Sequence, residues 1–216
     1  MTQDELEKDA TEAMEDLAAT SDAGDGQSCD AKSDADAALD EQHLVLKRLL
    51  AAHEAYFNVF ENYEYADRTF PGYAEFESHG EKYVLTKKAK LWEVDAFEYL
   101  FFDLVDSLDA ARMDDYIAFL KDQAIEKVHP NPSHMTSYLS LVVIANTADA
   151  QALKTVRHTR FHKEFKMGFE GWVDMRLAVI DLSSRKVTTN SMGKDMKRSL
   201  EANAGFAQGK RKGKLL

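Results

Sequence analysis

The feature that most restricts the fold of this chain is the stretch 165–190, in which a strand-like pattern turns back on itself. Met175–Leu182 is apolar and rich in residues that favour β-strands, Ser183–Lys186 is polar, and Val187–Asn190 resumes the strand pattern. Every second residue forms one apolar face: Val173, Met175, Leu177 and Val179. The opposite face is semi-polar: Trp172, Asp174, Arg176, Ala178 and Ile180. Because one face is apolar and the other is partly apolar, both faces are expected to contact other parts of the protein. We therefore predict a hairpin whose first strand lies inside a sheet.

The remaining patterns predict helices and strands in mixed order. Apolar residues at helical spacing predict a helix over 42–63, and Asp109 is suited to cap a second helix that ends near Ala124. Further predicted elements are strands at 73–77, 81–91, 92–105 and 135–146, turns at 71–72 and 78–80, a helix over 149–157, and a last helix from Gly193 to about Ala202. We therefore expect an α+β domain with a single mixed, mainly antiparallel sheet and flanking helices.

The acidic charge is concentrated at one end of the chain. Residues 1–41 hold 14 of the 38 acidic residues and 2 of the 27 basic ones, so the remainder holds 24 acidic and 25 basic residues. Residues 1–41 also lack aromatic residues, isoleucine and valine, which predicts a disordered acidic tail. The predicted domain is 42–203, and 204–216 is a basic tail that we expect to be frayed.

The cysteine and hydropathy patterns predict a cytoplasmic protein. The single cysteine, Cys29, lies in the predicted tail, so neither an intrachain disulfide nor a cysteine-based zinc site is expected. The chain starts with acidic residues and not with the basic and apolar regions of a signal peptide. Its longest apolar run, Leu141–Ala145, is far shorter than the roughly 20 residues that span a membrane, so no membrane association is expected.

Two passages resemble a known protein family. They are Glu81–Trp92 and Gly171–Arg176, the latter together with Val179–Leu182. They are similar to a family of uncharacterised bacterial proteins grouped as a domain of unknown function, over roughly residues 43–199. The resemblance implies one domain and a bacterial cytosolic origin. It implies no activity and no catalytic residues.

The most concrete enzymatic hypothesis is a Mg²⁺-dependent nuclease or phosphodiesterase. Glu164-Phe165-Lys166 fits the Glu-x-Lys pattern in which a carboxylate holds the metal and a lysine activates water, and Asp149 would be the preceding acid. A Glu-x-Lys triplet on a solvated strand face is the alternative. Two histidine pairs could serve as metal ligands by their spacing, namely His158 with His162 and His129 with His134, but surface histidines are the simpler interpretation, and no metal or cofactor is expected.

A ligand site is predicted on the semi-polar face of the central strand. Asp174 and Arg176 share that face beside Trp172, so an arginine, a carboxylate and an aromatic ring could form a pocket for an anionic or planar ligand. A structural ion pair under a covering helix is the alternative interpretation.

A basic stretch is the third candidate. Lys82, Lys87, Lys88 and Lys90 are interleaved with Tyr83 and close to Trp92, which would suit a nucleic-acid surface that the acidic tail competes for. Lysines that protect a sheet edge are the simpler interpretation. The phosphate-binding glycine loops of nucleotide-binding proteins are absent from the sequence.

These patterns favour a non-catalytic binding module over an enzyme. The partner is expected to be a protein or a small molecule, with the acidic tail modulating solubility or association. The alternatives are the Mg²⁺-dependent nuclease or phosphodiesterase and a nucleic-acid-binding protein regulated by its acidic tail.

Overall fold

The computed structural model describes residues 29–82 and 92–206, with side chains described at 41–78 and 95–206. The unit discussed below is Ala38–Leu216, within those described ranges. The helices are α1 (Cys29–His53), α2 (Ala110–Asp122), α3 (Ala150–His158) and α4 (Lys197–Asn203). The strands are β1 (Asn58–Tyr65), β2 (Arg68–Lys82), β3 (Trp92–Leu108), β4 (His134–Ala148), β5 (His162–Glu164), β6 (Trp172–Asp181) and β7 (Lys186–Thr189). Single 3₁₀ turns occur at Ala124–Lys127 and Lys166–Gly168.

The seven strands form one mixed sheet in the order β1-β2-β3-β4-β6-β5, and β7 also pairs with β6. Strands β1, β2 and β3 form an antiparallel meander, whereas β3, β4 and β6 run parallel. Strands β5 and β7 pair with different parts of β6, both antiparallel. Four of the six pairings are therefore antiparallel, and the predicted α+β class is confirmed.

Helices cover both faces of the sheet, and each face has its own apolar core. The larger core packs α2 and α3 against one face and includes Phe101, Leu139 and Met175. The smaller core packs α1 and α4 against the other face, through residues such as Leu49 and Leu200. The alternation predicted for β6 is confirmed. Val173, Met175, Leu177 and Val179 join the larger core, whereas Ala178 and Ile180 join the smaller one.

The second predicted helix is confirmed together with its cap and its buried face. The carboxylate of Asp109 accepts a hydrogen bond from the backbone N–H of Arg112 at 2.7 Å, which satisfies one of the free donors at the start of α2. The side chains predicted to face the core are all buried: Met113, Tyr116, Ile117, Leu120 and Ala124.

The predicted helix over 42–63 is wrong in its second half. Helix α1 ends at His53, and residues 58–65 form the edge strand β1. The aromatic residues of this segment recur at helical spacing, but they also favour β-structure, and pairing with β2 decides between the two. The connection between the two strands lies at Ala66 and Asp67, both at positive φ.

The turns predicted at 71–72 and 78–80 are also wrong, because β2 runs through both. Gly72 is buried under α1, where an added Cβ would lie 2.9 Å from a methyl carbon of Leu50. Its role is to let the helix approach the sheet closely, and not to turn the chain. Most of the strand predicted at 81–91 lies outside the described residues, and so do the tail predictions for 1–28 and 207–216.

The first and last helices of the described residues lie near the two ends of the predicted domain. Helix α1 begins at Cys29, and α4 begins at Lys197, four residues after Gly193. Ala204 and Phe206 are buried in the smaller core. No helix within 29–82 and 92–206 has the length and apolar content needed to cross a bilayer.

Candidate functional site

One half of the sheet face that carries the smaller core is polar. On this face β6 changes from Ile180 and Ala178 to Arg176 and Asp174, and β4 changes in parallel from Val142 to Ser140. The strand register places Glu98 of β3 beside Tyr138 of β4, which in turn lies beside Asp174 of β6. Side chains distant in sequence therefore form one polar surface, because neighbouring strands present the same face in register.

Arg176 is the centre of a polar network on this surface, which we call the Arg176 network. Its Nη1 donates a hydrogen bond to Glu98 at 3.1 Å, and the hydroxyl of Ser140 donates to the other oxygen of Glu98 at 2.6 Å. The guanidinium carbon lies 3.4 Å from the ring centre of Tyr138, which is stacking distance. The side chains of Arg176 and Glu98 are only 14% and 13% exposed. Their charges are therefore held in a partly dry environment, where pairing matters most.

On its solvent side, Arg176 has a more exposed partner. Its Nη2 lies 3.3 Å from a carboxylate oxygen of Asp195, whose side chain is 62% exposed. The Nε of Arg176 is buried and has no hydrogen-bond partner among the described residues. Arg176 is therefore paired on one side with the nearly buried Glu98 and on the other with the exposed Asp195.

A cleft of about 200 Å³ opens beside the Arg176 network. Its polar end is formed by Glu98, Arg176 and Asp195. Its largely apolar walls come from the end of α1, the residues after it, β3 and the start of α4: His53, Phe57, Leu100, Met196, Ser199 and Leu200. A cleft of this size can hold several water molecules or one small molecule.

Asp174 takes a different partner from the one that its position beside Arg176 suggested. A carboxylate oxygen of Asp174 lies 2.8 Å from Nδ1 of His162 on β5, and Nε2 of His162 lies 3.6 Å from Glu164. Asp174 is buried, whereas His162 is half exposed. The hydrogen bond to Asp174, followed by the attraction of both carboxylates, raises the pKa of His162 above its ordinary value of 6.5.

We expect this histidine to make stability depend on pH. A proton that binds more tightly in the folded state stabilises the fold below the ordinary pKa, and this contribution is lost as the pH rises through the raised pKa. The unfolding free energy of the native protein should therefore exceed that of His162→Gln at about pH 5.5, with a smaller difference at about pH 8. Urea unfolding at several pH values measures this difference, and NMR titration of the imidazole measures the pKa directly. Asp174→Asn should return the pKa of His162 toward 6.5, and a native value at or below 6.5 would contradict the prediction.

The residues of the nuclease hypothesis do not converge. Glu164 pairs with Trp172 at the start of β6, whereas Asp149 follows the far end of β4. Since β4 and β6 are parallel and Thr136 pairs with Trp172, about 40 Å of strand separates the two acids. Lys166 forms an ion pair with Glu170. Among the described residues, no group of three or more metal-ligating side chains is placed to hold an ion.

The other predicted site residues belong only in part to the described residues. Trp172 is half-buried on β6 and does not line the cleft beside Arg176. Lys82 is the last residue of β2, and Lys87, Lys88 and Lys90 lie outside the described residues. The basic stretch therefore stays a sequence prediction.

On the opposite sheet face, a cluster of tyrosines surrounds the side-chain ammonium of Lys127, which is half-buried. The ammonium of Lys127 lies 4.8 to 5.6 Å from the ring centres of four tyrosines: Tyr63, Tyr65, Tyr73 and Tyr99. Desolvation, followed by repulsion from Glu75 and Glu77, raises the pKa of Tyr99 to about 12. The rings therefore attract the cation through their π faces, and the chain's own lysine occupies the space a cationic ligand would need.

The sequence predicts Arg176 as a site residue and leaves Glu98 as a neighbour only if its strand lies next to that of Arg176, 78 positions away. It does not indicate Ser140 or Tyr138, which belong to a largely apolar strand. The usable signal was the interruption of that apolar strand by a tyrosine and a serine at alternate positions, which share the face of Arg176.

The fold and this site define a small α+β domain with a polar cleft beside a paired arginine. The chain belongs to the family described as a domain of unknown function (DUF8052), whose model matches residues 41–202. The family resemblance predicted from the sequence is thereby confirmed. Neither a curated protein nor a solved structure matches the chain.

Proposed function

We propose that this domain is a non-catalytic binding module that takes a small organic carboxylate in the cleft beside Arg176. The observation that carries the proposal is the asymmetry of Arg176. Glu98 and Tyr138 hold it with buried or half-buried contacts, whereas its second ion-pair partner, Asp195, is exposed. A ligand carboxylate can take the place of Asp195 at low cost, because exposed ion pairs contribute only about 0–1 kcal/mol.

The shape of the cleft restricts the ligand. Its apolar walls suit a short hydrocarbon group, while the guanidinium supplies a planar fork that matches a carboxylate. Pockets for drug-sized ligands are about 300–1,000 Å³, so a cleft of about 200 Å³ suits a smaller molecule.

Butyrate and benzoate are suitable probes, with butanol and benzamide as uncharged controls. We expect the two carboxylates to bind, as measured by calorimetry and by NMR shifts of the Arg176 side chain, and the uncharged compounds not to bind. Arg176→Lys keeps the charge but removes the fork, so it should weaken butyrate binding at least about tenfold. Asp195→Asn removes the competing carboxylate and should tighten binding up to about fivefold.

The matched control is Asp115→Asn. Asp115 also forms an exposed ion pair with an arginine, at 2.8 Å from Arg68, but outside the cleft. It should leave butyrate affinity unchanged. Equal tightening in both asparagine variants, or no binding of either carboxylate, would contradict the proposal. Metal-dependent phosphodiester hydrolysis that is lost in Glu164→Ala or Lys166→Ala would favour the nuclease hypothesis instead.

A further inference from the structure

A second cleft, independent of the carboxylate site, is strongly basic. It has a volume of about 680 Å³ and lies beside β7 and α4. Six cationic side chains line it, all of them exposed: Arg157, Arg160, Arg185, Lys186, Lys194 and Lys197. Glu201 is the one acidic residue in its lining. We call it the basic groove.

The cations come from separate segments that a buried side chain holds together. Asn190 is 0% exposed, and its side-chain amide donates to the backbone carbonyls of Met175 at 2.8 Å and Thr159 at 3.4 Å. Its carbonyl oxygen accepts a hydrogen bond from the N–H of Gly193 at 2.9 Å. Arg160 and Lys194 directly follow Thr159 and Gly193 in the sequence. Two walls of the groove are thus tied to β6 before any ligand arrives, which lowers the ordering cost of binding.

The positive charge of the groove is only partly neutralised. Arg185 lies 3.5 Å from Glu41 and Lys197 lies 3.8 Å from Glu201. Within the part of the chain that the structure describes, no ion pair involves the other four cations: Arg157, Arg160, Lys186 and Lys194. Like charges gathered in a cleft focus their field and attract anions, at a cost in self-repulsion that a bound anion relieves.

The lining chemistry favours phosphate as the anion. Besides the cations, the groove presents the hydroxyl-bearing residues Thr188, Thr189 and Ser191, but no aromatic residue on which a base could stack. Several cations spread over one groove match several adjacent negative groups better than a single carboxylate. We propose that the basic groove binds ligands with two or more adjacent phosphate groups, recognised through the phosphates alone. A nucleic-acid backbone and a soluble polyphosphate share this chemistry.

Tripolyphosphate and a 12-base-pair DNA duplex are the two probes, and polyglutamate tests whether any polyanion suffices. We expect tripolyphosphate to bind the full chain at low salt, as measured by calorimetry. The double variant Arg157→Gln/Lys194→Gln should weaken this binding at least about tenfold. The matched control Lys47→Gln/Lys121→Gln removes two exposed cations outside the groove, and it should change the affinity less than twofold.

The two phosphate sources are separated by the duplex. If it binds, competes with tripolyphosphate, and loses about two units of salt dependence in the groove variant, the ligand is a nucleic-acid backbone. If tripolyphosphate alone binds, the ligand is a soluble polyphosphate. Absence of binding by both probes, equal weakening in the control variant, or equal affinity for polyglutamate would overturn the proposal. Butyrate should not compete at this groove, so failure of the carboxylate site and failure of the groove are distinguishable.

Discussion

Asn190→Ala is expected to lower the free energy of unfolding by about 3 kcal/mol. Residues 175–177 of β6 lie between the segment that pairs with β5 and the segment that pairs with β7. The side chain of Asn190 fills this gap, since its oxygen accepts from the N–H of Leu177 at 3.1 Å and its amide donates to the carbonyl of Met175. Alanine would leave these buried backbone groups unpaired, at about 1–3 kcal/mol each.

Asn203→Ala is the matched control for this substitution. Asn203 also donates its amide to a backbone carbonyl, that of Ser199, but within one helix and near solvent. Its loss should cost under about 1 kcal/mol, because water can replace the partner. Urea unfolding measures both values, and thermal unfolding should show a drop of roughly 10 °C for Asn190→Ala. Similar losses in the two variants would show that the buried bridge contributes little.

Gly171→Ala is expected to cost about 3 kcal/mol, for a steric reason. Gly171 has a φ of +75°, and an added Cβ would lie 2.5 Å from the backbone oxygen of Met135 and 2.6 Å from that of His134. Both oxygens belong to β4, beside the point where β4 begins to pair with β6. The overlap cannot be relieved by a side-chain rotation, so the strand has to move, which typically costs about 1–3 kcal/mol in addition to the strained backbone.

Gly168→Ala separates the two contributions. Gly168 also has a positive φ, +84°, but an added Cβ would meet nothing within 4 Å. It should therefore cost about 1 kcal/mol, which is the backbone contribution alone. Urea unfolding of the two variants should differ by about 2 kcal/mol. If both variants lose the same amount, the close approach of Gly171 to β4 is not what requires glycine there.

The roles of Asn190 and Gly171 could not be predicted from the sequence. The stretch 165–190 was predicted to form a hairpin with one apolar face, and β6 and β7 confirm it. Nothing in the stretch indicated that Asn190 bridges unpaired strand segments, or that Gly171 touches β4. Both roles depend on the position of another strand, and a local pattern carries no information about that position.

The wrong predictions share the same origin. The aromatic residues of 54–63 fit a helix and a strand equally well, and the pairing of β1 with β2 selects the strand. The pair Pro71-Gly72 is typical of a turn, but both residues lie within β2, where α1 packs on the sheet. In each case the choice depends on contacts between segments and not on the segment itself.

The amino-acid pattern alone was sufficient for the α+β class, the faces of β6 and the capped helix α2, because alternation and capping act within a few neighbouring residues. The Arg176 network and the basic groove required the folded chain. Parallel strand pairing brings Glu98 beside Arg176 across 78 positions, and the buried Asn190 joins two loops that carry cations. The register between strands sets which distant side chains meet, and that register is a property of the whole sheet.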